Sequence, residues 1–200
     1  MSALIMLDFD GVIVDSLDDQ SRACTTTLRA HGLPHLATHE QFLAFTEDNW
    51  FTALAGAGVP APTVSAIEDA FAATPCPPLF AGVAPVLEDL ARENPVVVIS
   101  SSRTSVVERI LAEHGVRGPS EVVGGDGEQS KTRKIRRACA RHGHALSAWY
   151  VGDTVGDIVE ARAAGVGTVG AAWGWHGEMR LRRAYPDHLA LVPSDLLQLF

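Results

Sequence analysis

Asp8 and Asp10 stand at alternate positions just after the apolar run Leu4-Ile5-Met6-Leu7 and just before Gly11. On a strand, side chains two apart point to the same side, so both carboxylates would face one spot. Like charges that close repel unless a cation sits between them or one keeps its proton. An all-oxygen site of that kind suits a hard dication such as Mg2+.

Other spacings that could carry chemistry do not hold up. Gly165-Val166-Gly167-Thr168-Val169-Gly170 satisfies GxGxxG, but it follows a helical pattern and enters an apolar run, the reverse of the dinucleotide-binding context. It reads as a turn. His31, His35 and His39 recur every four residues, yet Gly32 and Pro34 would break the helix that a metal site there needs. No GxSxG elbow offers a serine nucleophile. Cys24, Cys76 and Cys139 are odd in number and widely spaced, which fits free thiols in a reducing compartment.

The elements that must position Asp8 and Asp10 follow from periodicity. Apolar runs end at functional-looking edges over 4–10, 95–100, 121–124, 148–152 and 167–172, with a sixth at 189–192; helical patterns occupy 83–93, 104–114, 131–142 and 154–164, and Ser194-Asp195 looks like the N-cap of a last helix. Strands alternating with helices predict an α/β fold, a Rossmann-like parallel sheet with helices on both faces and its site at the carboxyl ends of the strands. Residues 16–80 break the alternation. They carry helical patterns and no strand signal, so they predict an all-α cap inserted after the first strand, leaving 1–15 and 81–200 as the core. Seven acidic residues against Arg22 and Arg29 put most of the chain's net charge of −8 in that insertion.

An acidic chain with only two lysines, Lys131 and Lys134, argues against nucleic acid and anionic membranes as partners. No apolar run is long enough to span a bilayer, and Asp8 and Asp10 interrupt the apolar start, so a cytoplasmic enzyme is expected. The basic run Lys131, Arg133, Lys134, Arg136, Arg137 and Arg141 reads mainly as a solvated helix face.

Asp8-Phe9-Asp10-Gly11-Val12-Ile13-Val14-Asp15-Ser16 resembles the DxDGxxxDS motif of the haloacid dehalogenase superfamily, in its phosphoglycolate-phosphatase-like branch with a helical cap, and the resemblance extends over nearly the whole chain. It implies Asp8 as nucleophile and Asp10 as general acid and base; members that cleave carbon–halogen bonds lack the second Asp, so phosphoryl transfer is implied instead. Ser100 supplies the family's hydroxyl at a strand end, where Ser101, Ser102 and Arg103 could add phosphate donors, although Ser102 or Thr104 could simply cap a helix. Lys131 has the spacing of the family's phosphate-neutralising lysine, with Lys134 in reserve. Gly152-Asp153-Thr154-Val155-Gly156-Asp157 matches GDxxxD, which implies Asp153 as a Mg2+ ligand beside Asp8 and the carbonyl of Asp10, with Asp157 behind it. Thr154 and Asp157 could also form a capping box.

The resemblance implies a Mg2+-dependent phosphatase of a small-molecule phosphate ester, acting as monomer or homodimer; a phosphomutase or phosphotransferase, or a non-catalytic binding protein on the same fold, are the alternatives. The insertion has no lysine and only two arginines. That favours a monophosphate with a neutral or cationic leaving group, to be met by Glu47, Asp48, Asn49 and Trp50. Trp173-Gly174-Trp175-His176 either borders the substrate or is a structural aromatic loop.

Overall fold

A computed structural model describes residues 2–142 and 147–200. β1 (Ala3–Leu7) is buried at every position, which is why its residues are apolar on both faces. It lies between β2 (Val96–Ile99) and β4 (Ser147–Gly152), parallel to both. β3 (Glu121–Val123) adds beyond β2, and β5 (Gly167–Ala171) and β6 (His188–Ala190) add beyond β4, for a six-stranded parallel sheet in the order β3-β2-β1-β4-β5-β6.

Parallel neighbours need crossovers, and helices supply them. In chain order the helices are α1 (Leu17–Ala30), α2 (His39–Phe45), α3 (Trp50–Gly56), α4 (Ala61–Ala72), α5 (Val83–Leu90), α6 (Thr104–Glu113), α7 (Lys131–His142), α8 (Val155–Ala164), α9 (Gly177–Arg183) and α10 (Leu196–Leu199). Because alternate strand residues point to opposite faces, the apolar strands feed two cores. Ile5, Leu7, Val96, Val98 and Val151 pack against α5 and α6 through Val86, Leu87, Val107 and Ile110. Leu4, Met6, Val97, Ile99 and Tyr150 pack against α7 and α8 through Ile135, Ala138 and Ala161. The sheet grows from β1 to β3 on one side and from β4 to β6 on the other, so the crevice between β1 and β4 is the switch point where α/β proteins place ligands.

One helix escaped the sequence pattern and one expectation changes. α9 gives little periodic signal because Leu181 is its one buried residue. Ser194 is not the N-cap of the last helix: Pro193 opens a 3-10 turn one residue earlier, and Asp195 Oδ2 reaches back to accept from Leu191 and Val192 N–H at 2.8 and 3.2 Å. Proline fixes φ for a helical start, which moves the start to residue 193.

The helical segment between β1 and α5 has its own apolar cluster, including Cys24, Leu28, Phe42, Phe45, Leu54 and Ile67. α1 stops at Ala30, and Gly32 follows with φ +77°, the left-handed turn that the histidine spacing would have had to cross. The segment's two ends meet side by side. Asp15 N–H donates to Pro78 O at 2.8 Å and Phe80 N–H to Ile13 O at 3.1 Å, around an antiparallel bridge between Val14 and Leu79. All three cysteines are free thiols, Cys24 buried and the others partly so.

His176, just after β5, joins the sheet to this segment. Its Nδ1 accepts from Val155 N–H at 2.9 Å, so the proton belongs on Nε2, which lies 2.9 Å from Thr46 Oγ1. Gly156 N–H donates to Thr46 O at 3.2 Å. A Cβ at Gly156 would come 2.9 Å from that oxygen and 2.5 Å from the carbonyl of Asp48. Burial first, with Arg180 second, pushes the His176 imidazole down to about 4. Unfolded, the ring titrates near its ordinary 6.5, so between these values the unfolded chain binds the extra proton. Stability therefore falls as pH drops through that window, by up to about 3 kcal/mol at roughly 1.4 kcal/mol per unit. His176→Asn keeps an acceptor for Val155 and cannot titrate. Denaturant unfolding at near-neutral and acid pH is expected to show an acid loss smaller in this variant than in the wild type by about 2 to 3 kcal/mol; equal losses would contradict the role.

Candidate active site

Asp8 sits where β1 runs out, its N–H still paired to Val151 O of β4 at 2.9 Å, and its carboxylate is buried. Oδ1 accepts from Phe9 N–H at 2.8 Å and Oδ2 from Lys131 Nζ at 2.5 Å. Lys131 opens α7 and lies 2.5 Å from Asp157 Oδ1 as well. Asp157 Oδ2 meanwhile takes Thr154 N–H at 3.1 Å and Thr154 Oγ1 at 2.8 Å, while Thr154 Oγ1 accepts Asp157 N–H at 3.2 Å. The capping box that opens α8 is thus also one wall of the charge cluster.

Asp153 follows β4 on the other side of Asp8. Oδ2 accepts from Trp175 N–H at 2.7 Å, and Oδ1 is buried with no partner among the described residues. Gly11, at φ +78°, leaves the room: a Cβ there would lie on the Asp153 carboxylate and 2.8 Å from the Trp175 ring. Asp8, Asp153 and Asp157 each offer an oxygen within 4.8 Å of the other two. Three hard oxygen donors, one of them a buried acceptor lacking a hydrogen bond, fit a divalent cation such as Mg2+.

Burial pushes the Asp8 carboxyl up; Lys131 opposes this and Asp157 adds to it. Asp153 is raised well above the usual carboxylate range, by burial first and then by Asp157 and Asp8. Burial alone would lower Lys131, but Asp157 and Asp8 outweigh it and hold the ammonium firmly charged. The one cation pairs with two of the three carboxylates, Asp8 and Asp157, and the cluster has room for another positive charge beside Asp153.

Asp10 faces the cavity from the loop after β1. Oδ1 accepts from Ser16 Oγ at 2.7 Å and from Gln20 Nε2 at 2.5 Å, and Oδ2 from Ser102 Oγ at 2.7 Å. Burial raises its carboxyl, against the pull of the Ser102 and Ser16 hydroxyls. Ser100, at the end of β2, is buried and its Oγ accepts from Ser102 N–H at 2.9 Å, so its own O–H is free to donate elsewhere. Lys134 does not reach the carboxylates. Its Nζ donates to Ser100 O at 2.5 Å and Gly124 O at 3.4 Å, pinning the ends of β2 and β3, and burial followed by Lys131 lowers it to about 8.

Asp8, Asp10, Ser100, Ser101, Arg103, Lys131, Asp157 and Trp50 all line one cavity, with Asp153 behind it. Arg103 is already engaged, 2.7 Å from Asp69 of α4. Trp50 packs edge-on to Phe42 and Phe45 as well as lining the cavity. Of its neighbours, Asp48 lines the cavity, whereas Glu47 pairs with Arg180 of α9 at 2.9 Å and Asn49 caps α3 and donates to Gln129 O and Glu160 Oε2 at 2.9 and 3.0 Å. The loop after β5 is both things at once: Trp175 lines the cavity, while Trp173 Nε1 donates to Val12 O at 3.0 Å and His176 is structural. Gln20, Phe71 and Glu160 escape sequence reading because nothing in their local pattern separates them from other helix residues.

Residues 5–171 match the family model described as haloacid dehalogenase-like hydrolase. A protein of Synechococcus elongatus named phosphoglycolate phosphatase is 37% identical over 123 residues, 60% of this chain and 58% of that one. One from Yersinia pseudotuberculosis with the same name is 26% identical over 96% of this chain and 90% of its own. Among solved structures, a haloacid dehalogenase-like hydrolase from Streptococcus pneumoniae superposes with a TM-score of 0.82 at 23% identity, covering 100% of this chain and 98% of that one. A phosphatase structure from Clostridium acetobutylicum gives 0.83 at 18% identity, over 99% and 97%. These two likenesses show the fold.

Lys131→Met would leave Asp8 and Asp157 buried without their counter-charge. In chelator-treated protein at mildly alkaline pH it is expected to cost about 3 to 5 kcal/mol in denaturant unfolding. The deficit should shrink as pH falls and the carboxyls protonate. A deficit that does not change with pH would show that lost packing, not charge, is responsible.

Proposed function

The chain belongs to the haloacid dehalogenase-like hydrolases, and on that premise we propose that it is a Mg2+-dependent phosphatase that hydrolyses a small phosphomonoester through a phosphoryl group carried on Asp8. The observation that carries this reading is Lys131 Nζ held 2.5 Å from both Asp8 and Asp157, beside the partnerless oxygen of Asp153. Asp8, Asp153 and Asp157, with the carbonyl of Asp10, are the residues that would hold Mg2+. Bound there, the ion would supply positive charge against an anionic phosphate.

Asp8 attacks phosphorus through a carboxylate oxygen, in line with the bond to the leaving oxygen. Lys131 and the Ser100 hydroxyl donate to the phosphoryl oxygens, where charge spreads as the bonds exchange. Asp10 Oδ2 suits proton transfer, since its one partner is the Ser102 hydroxyl, which can turn from donor to acceptor when the carboxyl is protonated. That proton passes to the leaving alcohol as the old phosphorus–oxygen bond breaks. Asp10, now ionised, takes a proton from water, which attacks the phosphorus and frees phosphate from Asp8.

Residues 16–80 serve in this proposal as a cap that excludes water from the exchange. Support comes from their separate apolar cluster, their paired connections at 13–15 and 78–80, and the contacts of Gln20, Asn49 and Thr46 with the core. We place the enzyme in the cytoplasm as a monomer or homodimer, acting on a free metabolite; no helix among the described residues is long and apolar enough to cross a membrane. The relatives' name makes phosphoglycolate the ester against which any other should be compared.

Two measurements test the reading. Hydrolysis of p-nitrophenyl phosphate is expected to require Mg2+ and to fall by at least about a thousandfold in Asp8→Asn; comparable rates would overturn the nucleophile. Millimolar Mg2+ is expected to raise the melting temperature of the wild type by a few degrees through preferential binding to the folded chain, and Asp153→Asn should abolish the rise. A rise that survives in Asp153→Asn would place the ion elsewhere.

A further inference from the structure

The cavity lining mixes two kinds of side chain. Beside the polar and charged groups it includes Trp50 and Phe71 of the helical segment, Val106 and Ile110 of α6, and Trp175. Trp50, Phe71 and Val106 are only half-buried, so they keep apolar surface that an apolar occupant would cover. The wall is pre-set. Trp50 and Phe71 lie 5.9 Å apart and tilted by 41°, and the fully buried Phe42 braces Trp50 at 5.6 Å and Trp175 at 5.4 Å.

Charge sharpens the choice. Besides Asp8, Asp10 and Asp157, the lining carries Asp48, Glu68 and Glu160. Among the described residues that line it, the two cations are both committed: Lys131 to Asp8 and Asp157, Arg103 to Asp69. A carboxylate or second phosphate on the leaving group would meet this like charge, and the one lining cation beyond Lys131, Arg103, already faces Asp69. The unused donor is neutral: Trp175 Nε1 is buried without a partner among the described residues, and an indole N–H can only donate.

Resting on the phosphatase reading above, we infer that the substrate's leaving group is a ring-bearing, apolar alcohol free of negative charge, seated against Trp50 and Phe71, with Trp175 donating to an oxygen of the ester. Two planar rings offer offset or edge-on stacking, which sets a ring-bearing alcohol above an alkyl one of equal charge.

Three esters test this with little difference in leaving-group reactivity: 2-phenylethyl phosphate, phosphoethanolamine and 2-carboxyethyl phosphate. With Mg2+ the phenylethyl ester is expected to exceed the carboxyethyl ester in kcat/KM by at least about tenfold, the effect of a ring-sized apolar contact. Phe71→Ala should lower kcat/KM for the phenylethyl ester about tenfold more than for phosphoethanolamine. Binding of the same esters to Asp8→Asn, read from tryptophan fluorescence, gives the ranking without turnover. No hydrolysis of any ester by the wild type would refute the phosphatase reading, while the binding order still decides the pocket. Equal or tighter binding of the carboxyethyl ester, or a Phe71→Ala effect alike on both uncharged-ring and amino esters, would overturn the inference.

Discussion

Three carboxylates buried around a single lysine govern this end of the molecule. Taking charges out of water is costly unless each finds a partner; Lys131 pairs with Asp8 and Asp157, while Asp153 has the backbone N–H of Trp175. Much nearby structure keeps that arrangement in place. Gly11 has no side chain because the Asp153 carboxylate occupies the space, and Thr154 holds the oxygen of Asp157 that Lys131 does not. Tyr150 lies beneath, its ring 5.9 Å from Lys131 Nζ and its hydroxyl donating to Ile99 O at 3.1 Å. This shortage of positive charge is the physical reason the site fits a divalent cation, whose charge an incoming phosphate would also need.

The helical segment completes the enclosure, and its contacts are of unequal worth. Arg103–Asp69 and Arg180–Glu47 are largely exposed pairs of the kind that contribute about 1 kcal/mol or less. The buried contacts weigh more. Gly156 lets the carbonyls of Thr46 and Asp48 lie on the start of α8, and the neutral His176 ring links Val155 to Thr46. Gln20 and Ser102, from the segment and the core, grip opposite oxygens of Asp10. Asp10, to which the proposed mechanism gives the proton transfer, therefore sits on the seam between the two parts of the chain.

The sheet was readable because continuous apolar runs such as 4–7 and 96–99 can be only fully buried strands or buried helix fragments, and their short length, with Pro95 ahead of one and Asp8 closing the other, favoured strands. The carboxylates were readable because their spacing is local. What lay beyond reach depended on tertiary packing. Motif spacing ranked Lys131 above Lys134, but only the fold shows what each meets: both are buried, and a helical turn sends one to carboxylates and the other to backbone carbonyls. Arg103 looked available for phosphate until α4 brought Asp69 to it. Trp175 was ambiguous in sequence, and the fold makes it wall and donor together. α9, with one buried residue, left almost no periodic trace.

The central claim is that phosphate passes through Asp8. Mixing enzyme, Mg2+ and a rapidly cleaved ester, quenching in acid within a turnover and mapping peptides by mass spectrometry tests it most directly. The account predicts an acid-trapped, alkali-labile phosphoryl group on the peptide that contains Asp8, absent from Asp8→Asn. Multiple turnovers with no labelled peptide at any quench time, or a label that persists in Asp8→Asn, would contradict it.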